Sequence, residues 1–204
     1  MGFFVIIMNH YYSKEVKLES NEEKMIFHYK GHDLTFIGDN GVFSKQRVDY
    51  GSRVLLDAIE IDENHKSLLD VGCGYGTFGV SLKKVYPHLT VEMVDINERA
   101  VHLANKAIAI NNLEDIKAYQ SFVYENVDGK FDIVVSNPPI RAGKKVVFEI
   151  LEKAYDHLNE NGFLMIVIQK KQGAPSAKKK MEEIFGNCEI VTKDTGYYIL
   201  KSVK

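Results

Sequence analysis

Apolar and polar positions along the chain fall into two regimes that meet near Asp49. Before that point, Met25-Ile26-Phe27-His28-Tyr29 and Asp33-Leu34-Thr35-Phe36-Ile37 flank Lys30-Gly31-His32, which predicts a hairpin around a glycine-bearing turn. Asp39-Asn40-Gly41 is a second turn signal and leads into Val42-Phe43-Ser44. Beyond Asp49, short apolar runs alternate with stretches of helical period. Residues 68–71, 90–94, 116–120, 131–136 and 163–169 read as strands. Residues 79–85, stopped by Pro87, and a segment capped by Asn97 and running to Asn111 read as helices. Two more helices are predicted over 144–158, ended by Asn161-Gly162, and over 177–185. Residues 189–193 and 197–203 predict a closing hairpin. Apolar strands separated by helices imply a parallel sheet covered on both faces. The expected organisation is a small N-terminal β-rich extension, residues 1–48, and one α/β domain, residues 49–204. That domain is Rossmann-like, with seven strands, mostly parallel, and an antiparallel hairpin at one end.

Such sheets bind ligands where the carboxyl ends of the strands meet the point at which strand order reverses. Chemistry-bearing residues should therefore follow strands, and they do. The first strand of the sheet runs into Asp70-Val71-Gly72-Cys73-Gly74-Tyr75-Gly76, a turn that lets backbone approach a ligand closely. The same stretch satisfies the dinucleotide pattern through Gly74, Gly76 and Gly79, so a nicotinamide cofactor has to be weighed. A carboxylate at Asp70 opposes a pyrophosphate and attracts the ammonium group of a methionine moiety. Asp95, at the end of the second strand, is placed for ribose hydroxyls and fits either cofactor. The fourth strand runs into Ser136-Asn137-Pro138-Pro139-Ile140. Two prolines stiffen the strand terminus, and stiffness suits a site that holds a weak nucleophile at a set distance and angle. The Asn137 side-chain carbonyl and the Pro138 main-chain carbonyl can both accept hydrogens from one exocyclic amine. Alone, the segment also reads as a proline-stiffened turn with Asn137 as its Asx cap.

Composition changes the picture in three respects. With 26 basic and 28 acidic residues, and a net charge of -2, the chain has no global nucleic-acid signature, so any basic surface must be local. Its two cysteines, Cys73 and Cys188, lie far apart without metal-ligand spacing, which argues against a zinc site and suits a reducing cytoplasm. The apolar opening Met1-Gly2-Phe3-Phe4-Val5-Ile6-Ile7 is shorter than the roughly 20 residues of a membrane span. It also lacks a signal cleavage pattern and is read as a dispensable extension ahead of Met8.

From about His10 to Val203 the chain resembles class I S-adenosylmethionine-dependent methyltransferases. Within that class it is similar to the bacterial 16S rRNA guanine-N2 methyltransferase family in a single-domain form. The resemblance rests on Gly41-Val42-Phe43-Ser44, on the glycine turn from Asp70 to Gly76, and on Asn137-Pro138-Pro139-Ile140-Arg141-Ala142-Gly143-Lys144. The segment Gln169-Lys170-Lys171-Gln172-Gly173-Ala174-Pro175-Ser176 is similar to the family's loop after the fifth strand. The resemblance implies S-adenosylmethionine as cofactor, with its methionine part against Asp70, Gly72, Gly74 and Gly76. It implies that Asp95 holds the ribose, that Ile96 packs on the adenine, and that Phe43 and Ser44 close over the site. Asn137 and Pro138 would orient the target amine beside Pro139 and Ile140. At the adenine edge Phe122, after Gln120-Ser121, stands where such enzymes usually carry an acidic residue, and Ser121 or main-chain groups could replace that contact.

Arg141, Lys144, Lys145, Lys170 and Lys171 follow strands at the same edge and would form a basic rim for ribosomal RNA of the small subunit. Lys178, Lys179 and Lys180 read instead as the wet face of a helix, and Tyr11-Tyr12 either stacks on a base or packs. His28, His32 and His65 are given no catalytic role. No metal and no membrane enter this reading, and a monomer is expected. Adenine-N6 and glutamine-N5 methyltransferases also use Asn-Pro-Pro but follow it with an aromatic residue, where this chain has Ile140. A non-catalytic nucleoside- or ribosome-binding module is the third reading.

Overall fold

The computed structural model describes residues 19–42 and 47–204. Strands β1 (Glu23–Tyr29) and β2 (His32–Gly38) pair antiparallel through a two-residue turn, as the sequence predicts. The seven-stranded sheet contains β3 (Ser67–Val71), β4 (Thr90–Asp95), β5 (Ile116–Gln120), β6 (Phe131–Ser136), β7 (Leu158–Gln169), β8 (Glu189–Asp194) and β9 (Tyr197–Val203). Their spatial order is β5-β4-β3-β6-β7-β9-β8. Strands β3 to β7 pair with one another in parallel, and β9 runs antiparallel to both β7 and β8. Strand order reverses between β3 and β6, which is where an open sheet of this kind forms its ligand crevice.

Helices α1 (Tyr50–Ala58), α2 (Thr77–Val85), α3 (Glu98–Ile110), α4 (Lys144–Ala154) and α5 (Ala174–Phe185) cover the sheet. Alternation along each strand divides the core between two faces. Leu68, Ile133, Val135, Met165 and Val167 belong to one apolar cluster, together with residues of α1, α2, α3 and the hairpin. Leu69, Val71, Val134, Leu164 and Ile166 belong to the other, beneath α4 and α5. The hairpin shares the first cluster: Leu34 and Phe36 are fully buried, and the Phe36 ring meets Tyr75 edge-on at 5.6 Å. Asn111, the C-cap of α3, completes the attachment. Its side chain accepts from the Thr35 amide at 3.0 Å and donates to the Thr35 carbonyl at 2.8 Å, as a neighbouring strand would.

Two elements differ from the sequence reading. Helix α1 occupies the stretch just after Asp49, where the apolar pattern predicts no element. Asp49 is its N-cap and accepts from the Ser52 amide, and Val54, Leu55 and Leu56 bury its inner face. The predicted helix over 144–158 ends at Ala154, and Leu158 already pairs with Phe131 as the first residue of β7. Asn161-Gly162 therefore does not stop a helix. It lies in an irregularity between the Leu158 and Phe163 pairings, where Asn161 has a φ of 65°. A Cβ on Gly162 would fall 2.9 Å from the Asp132 carbonyl, so a glycine is needed for this close approach. No described helix is long and apolar enough to cross a membrane.

Candidate active site

At the carboxyl end of β3, the turn from Gly72 to Gly76 is tied to β4 by its own backbone. The amides of Gly72 and Cys73 donate to the Val94 carbonyl at 2.8 and 3.0 Å. The Gly74 amide donates to Asp95 Oδ2 at 2.9 Å, and Asp95 Oδ1 accepts from the Asn97 amide at 2.9 Å. The glycines divide by task. A Cβ on Gly72 or Gly74, both at positive φ, would meet nothing within 4 Å, so these two border open space that a ligand can enter. A Cβ on Gly76 would press on Val80 at 3.2 Å, and one on Gly79 would collide with Met93. Those two glycines serve helix packing.

Asp70 is buried beneath the turn, 1% exposed. Its Oδ2 accepts from the Gly79 amide at 3.1 Å, while Oδ1 is buried with no hydrogen-bond partner. Burial raises its pKa to about 7, the Gly79 amide lowers it, and the nearby Asp95 charge adds to the rise. Burial likewise raises Asp95, against the pull of the Asn97 and Gly74 amides, and pushes the Cys73 thiol well above its ordinary value. An orphaned carboxylate oxygen beside open-sided glycines fits a cationic group such as the ammonium of S-adenosylmethionine. Further along the edge, Ile96 is half-buried, and its carbonyl accepts from Gln120 Nε2 at 2.8 Å. Ser121 Oγ accepts from the Asn126 amide and donates to the Val123 carbonyl, so its hydroxyl is occupied within its own turn. Phe122 packs half-buried against the cluster under α4 and α5.

The Asn-Pro-Pro segment is fixed next to this turn. Val135 pairs with Asp70 across β6 and β3, and Ser136 Oγ donates to the Val71 carbonyl at 2.7 Å. Asn137 follows, half-buried, and Pro138 is buried. The Asn137 amide nitrogen donates to Ser52 Oγ at 3.1 Å and to Asp49 Oδ1 at 3.4 Å, both from the start of α1. Sequence reading missed Asp49 and Ser52. The one available signal was an acidic N-cap two residues before Gly51-Ser52. Ile140 opens a 3-10 turn, Ile140–Ala142, and lines a cavity of about 190 Å³ with Val147, Phe148 and Ile168.

Arg141, Lys144, Lys145, Lys170 and Lys171 are all exposed. The two basic turns are neighbours, because Ile140 and Lys144 border the same cavity as Gln172 and Gly173. Lys178 and Lys179 pair with Glu182 and Glu183 along their own helix, as on a wet face, whereas Lys180 is half-buried and bridges to Glu152 of α4. His65 precedes β3, at the amino end of the sheet, far from this edge in the topology. On the cofactor side, Arg99 Nη1 donates to the Asn40 carbonyl at 2.5 Å and Asn97 Nδ2 to the Gly41 carbonyl at 3.2 Å. These bonds fasten the turn at residues 39–41 beside Asp95. Phe43, Ser44, Tyr11, Tyr12 and the opening residues 1–7 lie outside the described residues.

Comparison with known proteins gives the geometry a context. The family model "Methyltransferase small domain" matches residues 33–201. A Bacillus subtilis protein named uncharacterized protein YbxB is 49% identical over 96% of this chain and 98% of its own length. Ribosomal RNA small subunit methyltransferase C of Aeromonas hydrophila is 37% identical over 83% of this chain. The match spans only 49% of that relative's length. Among solved structures, a T. thermophilus 16S rRNA N2 methyltransferase in complex with AdoMet and guanosine superimposes with a TM-score of 0.81 at 27% identity. It covers 92% of this chain, which in turn covers 52% of it.

Proposed function

Because the chain belongs to the methyltransferase small-domain family, we propose that it methylates the exocyclic N2 amine of a guanine in 16S rRNA. It is an S-adenosylmethionine-dependent methyltransferase related to ribosomal RNA small subunit methyltransferase C. The guanine and the RNA are the proposed part. The observation that carries them is one edge of the sheet. There Asp70, Asp95 and the open-sided glycines adjoin Asn137 and Pro138, with exposed cations beyond.

When bound, S-adenosylmethionine supplies a methyl group already activated on a sulfonium. Asp70 Oδ1, which has no hydrogen-bond partner of its own, would accept from the ammonium of that cofactor. Asp95 accepts from two amides and keeps lone pairs for ribose hydroxyls. Asn137 Oδ1 and the Pro138 carbonyl accept the two hydrogens of the target amine. Accepting both draws the nitrogen toward a pyramidal shape and aims its lone pair. Once methylated, the nitrogen becomes acidic and gives a proton to solvent, so placement and electrostatics dominate and a strong base is not required. Ile140 is half-buried and packs against the cluster under α4 and α5. An aliphatic side chain so engaged supports guanine over adenine or glutamine, whose enzymes place an aromatic ring there. The cations support an RNA substrate through phosphate contacts, and the target base must be single-stranded or extruded. Cys73 and Cys188 are free thiols, in keeping with work in a reducing cytoplasm.

Mass spectrometry of nucleosides from 16S rRNA, with and without the gene, tests the proposal. Loss of one N2-methylguanosine is expected. An unchanged nucleoside profile, or loss of a methyladenosine instead, refutes the assignment.

A further inference from the structure

Asn137 does not stand alone at the strand end. Helix α1 packs so closely that a Cβ on Gly51 would lie 2.6 Å from the Tyr197 ring. This approach brings Ser52, 3% exposed, within 3.1 Å of the Asn137 amide nitrogen. Asp49 Oδ1 lies 3.4 Å from the same nitrogen and also accepts from the Ser52 amide at 3.1 Å. An ionised carboxylate accepts hydrogen bonds and cannot donate them. A flipped carboxamide would set oxygen against oxygen at Asp49, so only one orientation satisfies both partners. The Asn137 oxygen is then left on the opposite side of the carboxamide.

We infer that Asp49 and Ser52 are positioning residues, which lock the Asn137 carboxamide with its oxygen toward the methyl-accepting amine. The inference rests on the amine chemistry proposed above. It assigns Asp49 a task beyond capping α1, and substitution separates the two tasks. Asp49 uses one oxygen, Oδ1, for both contacts, so an asparagine that kept the cap would keep that oxygen facing Asn137. Serine caps a helix about as well as aspartate, but its hydroxyl is shorter and can donate, so Asp49→Ser keeps the cap while removing the bar to a flip.

The test uses the whole chain and methyl incorporation into small-subunit particles from cells that lack the gene. Asp49→Ser should lower kcat about tenfold, as expected for loss of one hydrogen bond to a charged group. The KM for S-adenosylmethionine, S-adenosylhomocysteine affinity and Tm should stay unchanged. Ser52→Ala should lower kcat by a smaller factor, about threefold. An Asp49→Ser enzyme with kcat within twofold of the parent would reduce Asp49 to a cap. A parallel fall in Tm or S-adenosylhomocysteine affinity would also overturn the inference, in favour of a structural role. A second readout needs no substrate. The side-chain amide NMR signal of Asn137, assigned by its absence in Asn137→Ala, should be protected from solvent exchange in the parent and lose that protection in Asp49→Ser. Unchanged protection counts against the lock. If the parent protein methylates no RNA, the functional reading fails, and the amide signal still decides whether the lock exists.

Discussion

On the β3–β4 side of the carboxyl edge, polar side chains are anchored by main chain. Gly74 and Asn97 amides hold Asp95, the Gly79 amide holds Asp70, and the Val94 carbonyl holds the turn itself. On the β6–β7 side, Asn137 is held by side chains 85 and 88 residues earlier in the chain, and its cationic neighbours are exposed. Main-chain anchoring is local and survives most single substitutions, whereas side-chain anchoring depends on the tertiary packing of α1. Cofactor binding and acceptor positioning should therefore be separable. The largest expected effect probes this directly. Asn137→Ala should cut turnover about a hundredfold, as loss of one preorganised polar contact to a reacting group does. Affinity for S-adenosylhomocysteine, measured by calorimetry, should remain within twofold. A joint loss would mean that the two sides form one cooperative unit.

The same contrast explains what could be read in advance. Strands β3 to β6 and β9 and helices α2, α3 and α5 followed from apolar period, Pro87 and the Asn97 cap, because these are local signals. Asp70, Asp95 and Asn137 were visible because each sits at the carboxyl end of a strand: Asp70 one residue before the end of β3, Asp95 closing β4 and Asn137 just past β6. Helix α1 escaped because its apolar run, Val54-Leu55-Leu56, spans less than one helical turn without an evident stop. The start of β7 escaped because Asn161-Gly162 resembles a helix stop, and only pairing with β6 shows it to be an irregularity within a strand. The contacts of Asp49 and Ser52 with Asn137 cross more than eighty residues, and no local pattern encodes them.

The next effect sharpens the cofactor side. Asp70 is raised from 3.8 to about 7, chiefly by burial. A cationic partner favours the ionised form, so cofactor binding below pH 7 must release a proton. Affinity for S-adenosylmethionine should be level above about pH 8 and fall tenfold per unit below pH 7. Calorimetry at pH 8 and pH 6 should show about a tenfold difference, with proton release seen from buffers of different ionisation heat. Folding stability runs the other way. The native pKa lies above the unfolded one, so the ionisation penalty is absent below pH 3.8 and complete above pH 7, about 4 kcal/mol in all. Asp70→Asn should abolish this group's part of both trends. A pH-independent affinity in the parent would place the ammonium elsewhere.

The smallest effect tests whether the acceptor side extends to the rim. Lys170 and Lys171 form a 3-10 turn after β7, both exposed, and the Lys170 amide is tied to the Gly196 carbonyl at 2.8 Å. Their backbone is thus held while their side chains reach solvent, an arrangement that allows phosphate contact without refolding. Reversing both charges, Lys170→Glu with Lys171→Glu, should weaken binding of small-subunit RNA about fivefold at physiological salt. The slope of log affinity against log salt should become shallower by about two, one per lost phosphate contact. S-adenosylhomocysteine affinity should not change, because the cofactor side is built on β3 and β4. Methyl transfer to free guanosine should also be unaffected, since it has no flanking phosphates. Indifference of RNA binding to both reversals would confine the acceptor side to Asn137, Pro138 and Ile140 and leave the rim as solvated surface.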